Sequence, residues 1–183
     1  MNARTPCATR SSAASAPPLA LHLAGQDRLR QQCASLRSLA HRLDEPDAAQ
    51  ERESIRTALN ALSQAFQVTL EWHRSDQEVD LFPALLESMA GSDAVCIRQM
   101  ADDLTAEHRA LEARWHRVRA ALDAVAEGGN AGMPSAEVDA LASLCERHTA
   151  FEDAELLPMA ERLLSDPELA RLAHAMAERR EEL

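Results

Sequence analysis

Apolar residues recur at three- and four-residue spacing along four long stretches of the chain, the period of an α-helix that buries one face. The first stripe reads Leu19, Leu23, Gln26, Leu29, Cys33, Leu36, Ala40, Leu43, and the second Ile55, Leu59, Leu62, Phe66, Leu70, His73, Gln77, Leu81. The third runs Ile97, Met100, Leu104, His108, Leu111, Trp115, Val118, Leu122, Val125, and the fourth Val138, Leu141, Cys145, His148, Glu152, Leu156, Met159. Each stripe spends one or two inward positions on a polar residue. A polar group in a core costs about 1–3 kcal/mol unless something satisfies it. Polar residues facing inward from all four helices therefore call for one common explanation, either a buried hydrogen-bond network or a metal site.

Punctuation sets the ends of the helices. Pro17 and Pro18 open the first, and Asp44-Glu45-Pro46 ends it near Leu43. The second is expected from about Asp47 to Leu81, disturbed at Pro83, because proline removes a donor and crowds the preceding turn. Gly91-Ser92-Asp93 leads into a third helix from Asp93 to about Ala126. A loop through Gly128, Gly129 and Pro134 follows, and Ser135 is expected to cap a fourth helix, disturbed at Pro158. Ser165-Asp166-Pro167 starts a short terminal helix. Long helices with short connections predict an all-α, antiparallel up-down-up-down four-helix bundle. Its expected limits are a flexible tail over 1–17, the bundle over 18–165 and the extra C-terminal helix over 166–183.

Composition supports helix: glycine is scarce, tyrosine is absent, and Ala, Leu, Glu and Arg dominate. The formal charge is −11, and all 19 basic residues are arginine, a usage that fits GC-rich bacterial coding. Acidity argues against nucleic acid or an anionic membrane as partner. There is no apolar run long enough for a membrane span and no signal peptide, so a cytoplasmic protein is expected. The four cysteines form no CxxC pair; Cys33, Cys96 and Cys145 each fall on an apolar stripe and read as small core residues, not a disulfide framework.

An internal repeat narrows the chemistry. The segment His73 to Pro83 (HRSDQEVDLFP) matches His148 to Pro158 (HTAFEDAELLP) at a shift of 75 residues. His73 aligns with His148, Gln77 with Glu152, and Pro83 with Pro158. Upstream, Gly25-Gln26-Asp27-Arg28-Leu29 aligns with Glu107-His108-Arg109-Ala110-Leu111. The chain reads as two helix hairpins of one design, each offering one residue from its first helix and an i, i+4 pair from its second. Such a pair projects from one face about 6 Å apart, within reach of one buried centre.

This pattern, H…HxxxE…H…HxxxE with a proline closing each second motif, resembles the hemerythrin-like (HHE cation-binding) family from about Pro18 to Leu164. The resemblance implies a buried non-haem iron centre, with two ions bridged by the two motif carboxylates. Carried over onto this sequence, the ligands are His73, His108, His148 and Glu152. Two positions depart: Gln26 stands where an imidazole is expected and Gln77 where a carboxylate is expected. An amide oxygen is neutral and ligates weakly. The residues that remain imply one iron ion in the second half of the bundle, held by His108, His148 and Glu152, with His73 as a fourth ligand. Zinc or manganese also suits such a set. A ferritin-like centre would need Glu-x-x-His on the stripes, and none is there.

His22, one turn before Gln26, is the candidate substitute ligand. Asp76 and Glu78 flank Gln77 and are expected to face solvent or to support the ligands from behind. His41, His116 and His174 lie off the stripes and are expected at the surface, and Trp72 and Trp115 are expected to pack. Three functions follow: a metal protein that binds or senses O2, NO or iron; a metal-free bundle serving as a partner-binding or regulatory scaffold; or a mononuclear metal enzyme. No nucleophile dyad or phosphate loop supports the third.

Overall fold

The computed structural model describes residues 19–45, 47–88, 93–126 and 135–181. The expected tail over 1–17, the prolines Pro17, Pro18 and Pro46, and the loops around Gly91 and Gly128 lie outside them. Every element in the described residues is helical: α1 Ala20–Asp44, a 3-10 turn Ala48–Gln50, α2 Arg52–Ser75 and α3 Phe82–Glu87. Then come α4 Asp93–Ala126, α5 Ser135–Phe151, α6 Leu157–Leu163 and α7 Asp166–Glu181.

The four stripes close on one another around two apolar cores. One core joins Leu29 to Leu43 of α1 with Ile55 to Leu70 of α2, Leu111 to Val125 of α4 and Val138 to Cys145 of α5. The other joins Leu19, Leu81 to Leu85, Ile97 to Leu104 and Leu156 to Leu164. Successive helices thus enter and leave the same end in alternation, which is the up-down-up-down order. Helix α1 packs on α2 and α5, and α4 packs on the same two, so α1 and α4 are diagonal. Between the cores lies a layer of buried polar residues.

Both prolines act upstream of themselves. Asp76–Leu81 and Glu152–Leu156 are π-helical turns, and α3 and α6 resume with Pro83 and Pro158 in their first turn. The N–H of Phe82 bonds the carbonyl of Gln77, and that of Leu157 bonds the carbonyl of Glu152, each an i→i−5 step. The wider turn gives the pyrrolidine ring room that an α-turn denies it. It also sets the two i+4 motif positions, 77 and 152, at the start of each disturbance.

Helix α7 is bound to the bundle. Leu169, Leu172 and Met176 complete the second core. Glu168 caps the helix start, its carboxylate accepting from the Ser165 amide and hydroxyl at 2.7 and 2.5 Å. Arg179 and Arg180 each donate to Asp76 at 2.6 Å, and Arg179 also to Asp80. Asp76 is 1 % exposed. It is therefore neither solvated nor behind a ligand, as its place beside Gln77 had implied, but holds α7 against the π-turn.

Three further expectations are corrected. Leu23 is exposed, because α1 turns His22 inward in its place. Cys96 is exposed, while Cys33 and Cys145 are buried. Helix α2 proper begins at Arg52 and not near Asp47, after the 3-10 turn. Ser135 is the first residue of α5, and its hydroxyl donates to Asp44 of α1. His41, His116 and His174 are at the surface, as expected, and Trp115 is fully buried against Phe66.

Candidate metal centre

The polar layer contains every site position read from the sequence. His22, Gln26, His73, Gln77, His108, His148 and Glu152 are each no more than 2 % exposed. Residues related by the repeat meet face to face across it: His73 Nε2 stands 3.0 Å from His148 Nε2, and the Gln77 amide donates to Glu152 Oε1. The repeat is thus expressed as a pseudo-twofold pairing at the centre of the bundle.

One ligand atom from each of His73, His108, His148 and Glu152 lies within 4.8 Å of the others. Glu152 Oε1 is 3.1 Å from His73 Nε2 and 2.9 Å from His148 Nε2. Ligands about 2.0–2.1 Å from one ion stand about 3.3 Å apart, so these side chains are already near ligand spacing. Geometrically His73 is as much a part of the group as His148. His108 Nε2 is buried without a partner, an orphan acceptor that a cation would satisfy.

Carboxylates behind the rings fix two of the three tautomers. His108 Nδ1 donates to Glu78 and His148 Nδ1 to Glu107, both at 2.8 Å. With hydrogen held at Nδ1, the Nε2 lone pairs turn inward, which is the arrangement metal-ligating histidines use. Glu78 fits the supporting role expected for it. Glu107 had no distinguishing signal, since its partner lies 41 residues away.

The glutamines engage the carboxylate but leave their own oxygens without partners. Gln26 Nε2 donates to Glu152 Oε2 at 2.6 Å while Gln77 donates to Oε1, so two amides face the one buried carboxylate. His22 joins the layer, its ring stacked 5.4 Å from His73 and its Nε2 3.4 Å from the Gln77 amide nitrogen. The expected separation of His22 by a full turn is smaller in space than along the helix. A cavity of about 100 Å³ between α2 and α4, lined by Arg74, Glu112 and His108 among others, reaches the layer from outside.

Burial and mutual charge set the protonation states. Burial first, then the charge of His73, holds His22 down to about 3 and His108 down to about 2, so both are neutral. Burial pushes the Glu152 carboxyl up, but the charge of His73 and hydrogen bonds from His148 and His73 outweigh it and hold the group well below its usual range. His148 is likewise lowered by burial and raised further by Glu152 and Glu107, ending above its ordinary value. A neutral buried imidazole stabilises the fold above its unfolded value of 6.5, and that stability is lost as pH falls and the unfolded chain takes up the proton. Glu152 acts in the same direction at lower pH, whereas the His148 contribution is present below 6.5 and lost as pH rises through its folded value. Between pH 6.5 and about 5.5 the metal-free chain is expected to lose about 1 kcal/mol for each of His22 and His108. Chemical denaturation at stepped pH checks this, and His22→Gln should remove about half of the slope.

No curated protein matches the chain. A family model, that of the hemerythrin HHE cation binding domain, matches residues 24–160. That span takes in all four helices of the bundle and each residue of the buried cluster from Gln26 onward. The chain belongs to the hemerythrin HHE cation-binding domain family.

Proposed function

We propose that the chain binds a single iron ion through His73, His108, His148 and Glu152, and serves to bind, sense or handle O2, NO or iron. The observation that carries this reading is the gathering of three imidazoles and one carboxylate within 4.8 Å, in a layer where both other ligand positions are amides. One carboxylate offsets half the charge of a single divalent ion but only a quarter of the charge of two. Zinc or manganese fits the same donors. When bound, the ion supplies a redox-active Lewis-acid centre with open coordination positions.

The chain's own residues do the rest. Glu78 and Glu107 keep hydrogen at the Nδ1 atoms and orient the rings. The two apolar cores bound the layer along the bundle, and the cavity beside His108 is its approach from outside. The hydrogen now shared between His73 Nε2 and His148 Nε2 must leave when metal binds, so affinity should fall as pH drops. Free cysteines at 33, 96 and 145 suit the cytoplasmic setting that goes with this reading.

A second reading has its own support. The two amides already satisfy both oxygens of Glu152, so the one buried carboxylate has its hydrogen bonds without a metal, as a metal-free regulatory scaffold would require. Anaerobic Fe(II) titration, desalting and elemental analysis separate the two. Retention of about one iron per chain is expected. Two retained ions would overturn the single-ion site, and no retention of iron, zinc or manganese would favour the scaffold.

A further inference from the structure

Two of the clustered histidines have a carboxylate behind the ring, and the third does not. His73 is 2 % exposed, yet its Nδ1 has no partner. The repeat says what is missing. Glu107, which accepts from His148 Nδ1, immediately precedes His108, and the matching residue before Gln26 is Gly25. Where one half of the bundle carries a carboxylate, the other carries a hydrogen atom.

The space is real. A cavity of about 80 Å³ at the junction of α1, α2 and α7 is lined by Gly25, Arg28, Thr69, Trp72, His73 and Arg180. It exceeds what a single water needs. Gly25 has ordinary helical backbone, and a Cβ there would meet nothing closer than Arg180 at 3.9 Å, so neither strain nor crowding calls for glycine. A glycine inside a helix weakens it, and what this one does is leave the cavity open. Around the cavity stand one buried donor without an acceptor and, at its exposed rim, a guanidinium free to pair. The indole N–H of Trp72 is buried without a partner. Arg28 makes no hydrogen bond or ion pair to any described residue. Arg180 is already committed to Asp76 and lies over Trp72 at 5.4 Å.

We propose that this cavity binds a small carboxylate ion, which takes the place of the carboxylate missing at position 25, accepts the Nδ1 hydrogen of His73 and pairs with Arg28. A planar carboxylate matches the fork of a guanidinium and the acceptor role that Glu78 and Glu107 play for the other two rings. In the metal-free chain the His73 hydrogen lies on Nε2, toward Glu152 and His148, and the bound ion draws it to Nδ1, which frees the Nε2 lone pair for the metal layer. The effector role rests on the metal reading, whereas occupation of the cavity by the ion is read on the metal-free chain.

Acetate is the probe, with chloride replacing it at constant ionic strength, on the full-length chain. Histidine-selective ¹⁵N labelling reads the His73 Nδ1 hydrogen directly, and thermal melting reads binding through stabilisation. A saturable acetate-dependent shift at His73 and a rise in Tm are expected. Arg28→Gln, a change at an exposed side chain, should weaken the apparent affinity by about tenfold or more, the loss of one charge-assisted hydrogen bond. Gly25→Glu should abolish the acetate response while giving His73 the Nδ1 signal of His148, because the carboxylate is now built in. No acetate response beyond that of chloride, or a response of undiminished affinity in Arg28→Gln, overturns the proposal.

Discussion

Replacing Glu152 by Ala is expected to reduce iron retention after desalting from about one ion per chain to background. Among the described residues Glu152 is the one carboxylate gathered with the three imidazoles, and it lies within 3.1 Å of both His73 and His148. Three neutral imidazoles alone leave the charge of a divalent ion uncompensated in a buried site, which is costly. The truncation also strips partners from Gln26 and Gln77, so a fold-preserving control is needed. Glu152→Gln keeps the reach of the side chain and removes only its charge, and it should lose retention equally while remaining helical. His73→Ala should lose retention as severely as His148→Ala, since both Nε2 atoms stand at ligand spacing from the same oxygen. A loss confined to His148 and Glu152, with His73→Ala still holding iron, would place the ion in the second half of the bundle alone, the arrangement the ligand pattern favours along the chain.

Much of this centre can be read from one dimension because helices repeat. A stripe at 3.6-residue spacing identifies which residues face inward, and the displaced positions His73, His108, His148 and Glu152 stand out as polar members of apolar stripes. The repeat then aligns the two hairpins, and the structure brings the aligned residues into contact. Where two neighbours both suit the stripe, periodicity cannot choose. Leu23 and His22 are such a pair, and the helix buries the histidine because its ring stacks on His73 and its Nε2 meets Gln77. Pro83 and Pro158 announce a disturbance, but whether the turn before them kinks or widens depends on where the i−5 carbonyl lies. Contacts across helices leave no periodic trace. Asp76 looks like a solvated residue until Arg179, 103 residues later, is brought beside it. Glu107 gains its role from a histidine 41 residues away.

The largest gain is expected from restoring what the protein's own other half carries. The double substitution Gln26→His and Gln77→Glu should raise iron uptake from about one ion per chain to two, with an oxygen-sensitive near-ultraviolet or visible band that the parent lacks. The reasoning is geometric. The Gln77 amide touches Glu152 Oε1 and stands 3.4 Å from the Nε2 atoms of both His73 and His22. A carboxylate at position 77 would therefore lie against Glu152 with imidazoles on either side, and a ring at position 26 would add another. Without metal, two carboxylates in contact inside the bundle repel, and one must take up a proton or the fold must weaken. The metal-free double variant should accordingly melt below the parent and recover when iron is added, by RT ln(1 + [L]/Kd). The single variant Gln77→Glu tests where the helix-one ligand resides. If it alone takes two ions, His22 supplies the missing imidazole from one turn away. If two ions require both changes, position 26 is the ligand position, as the alignment with His108 says. A double variant that folds, yet retains one ion or none, would show that the repeat does not set the ligand register.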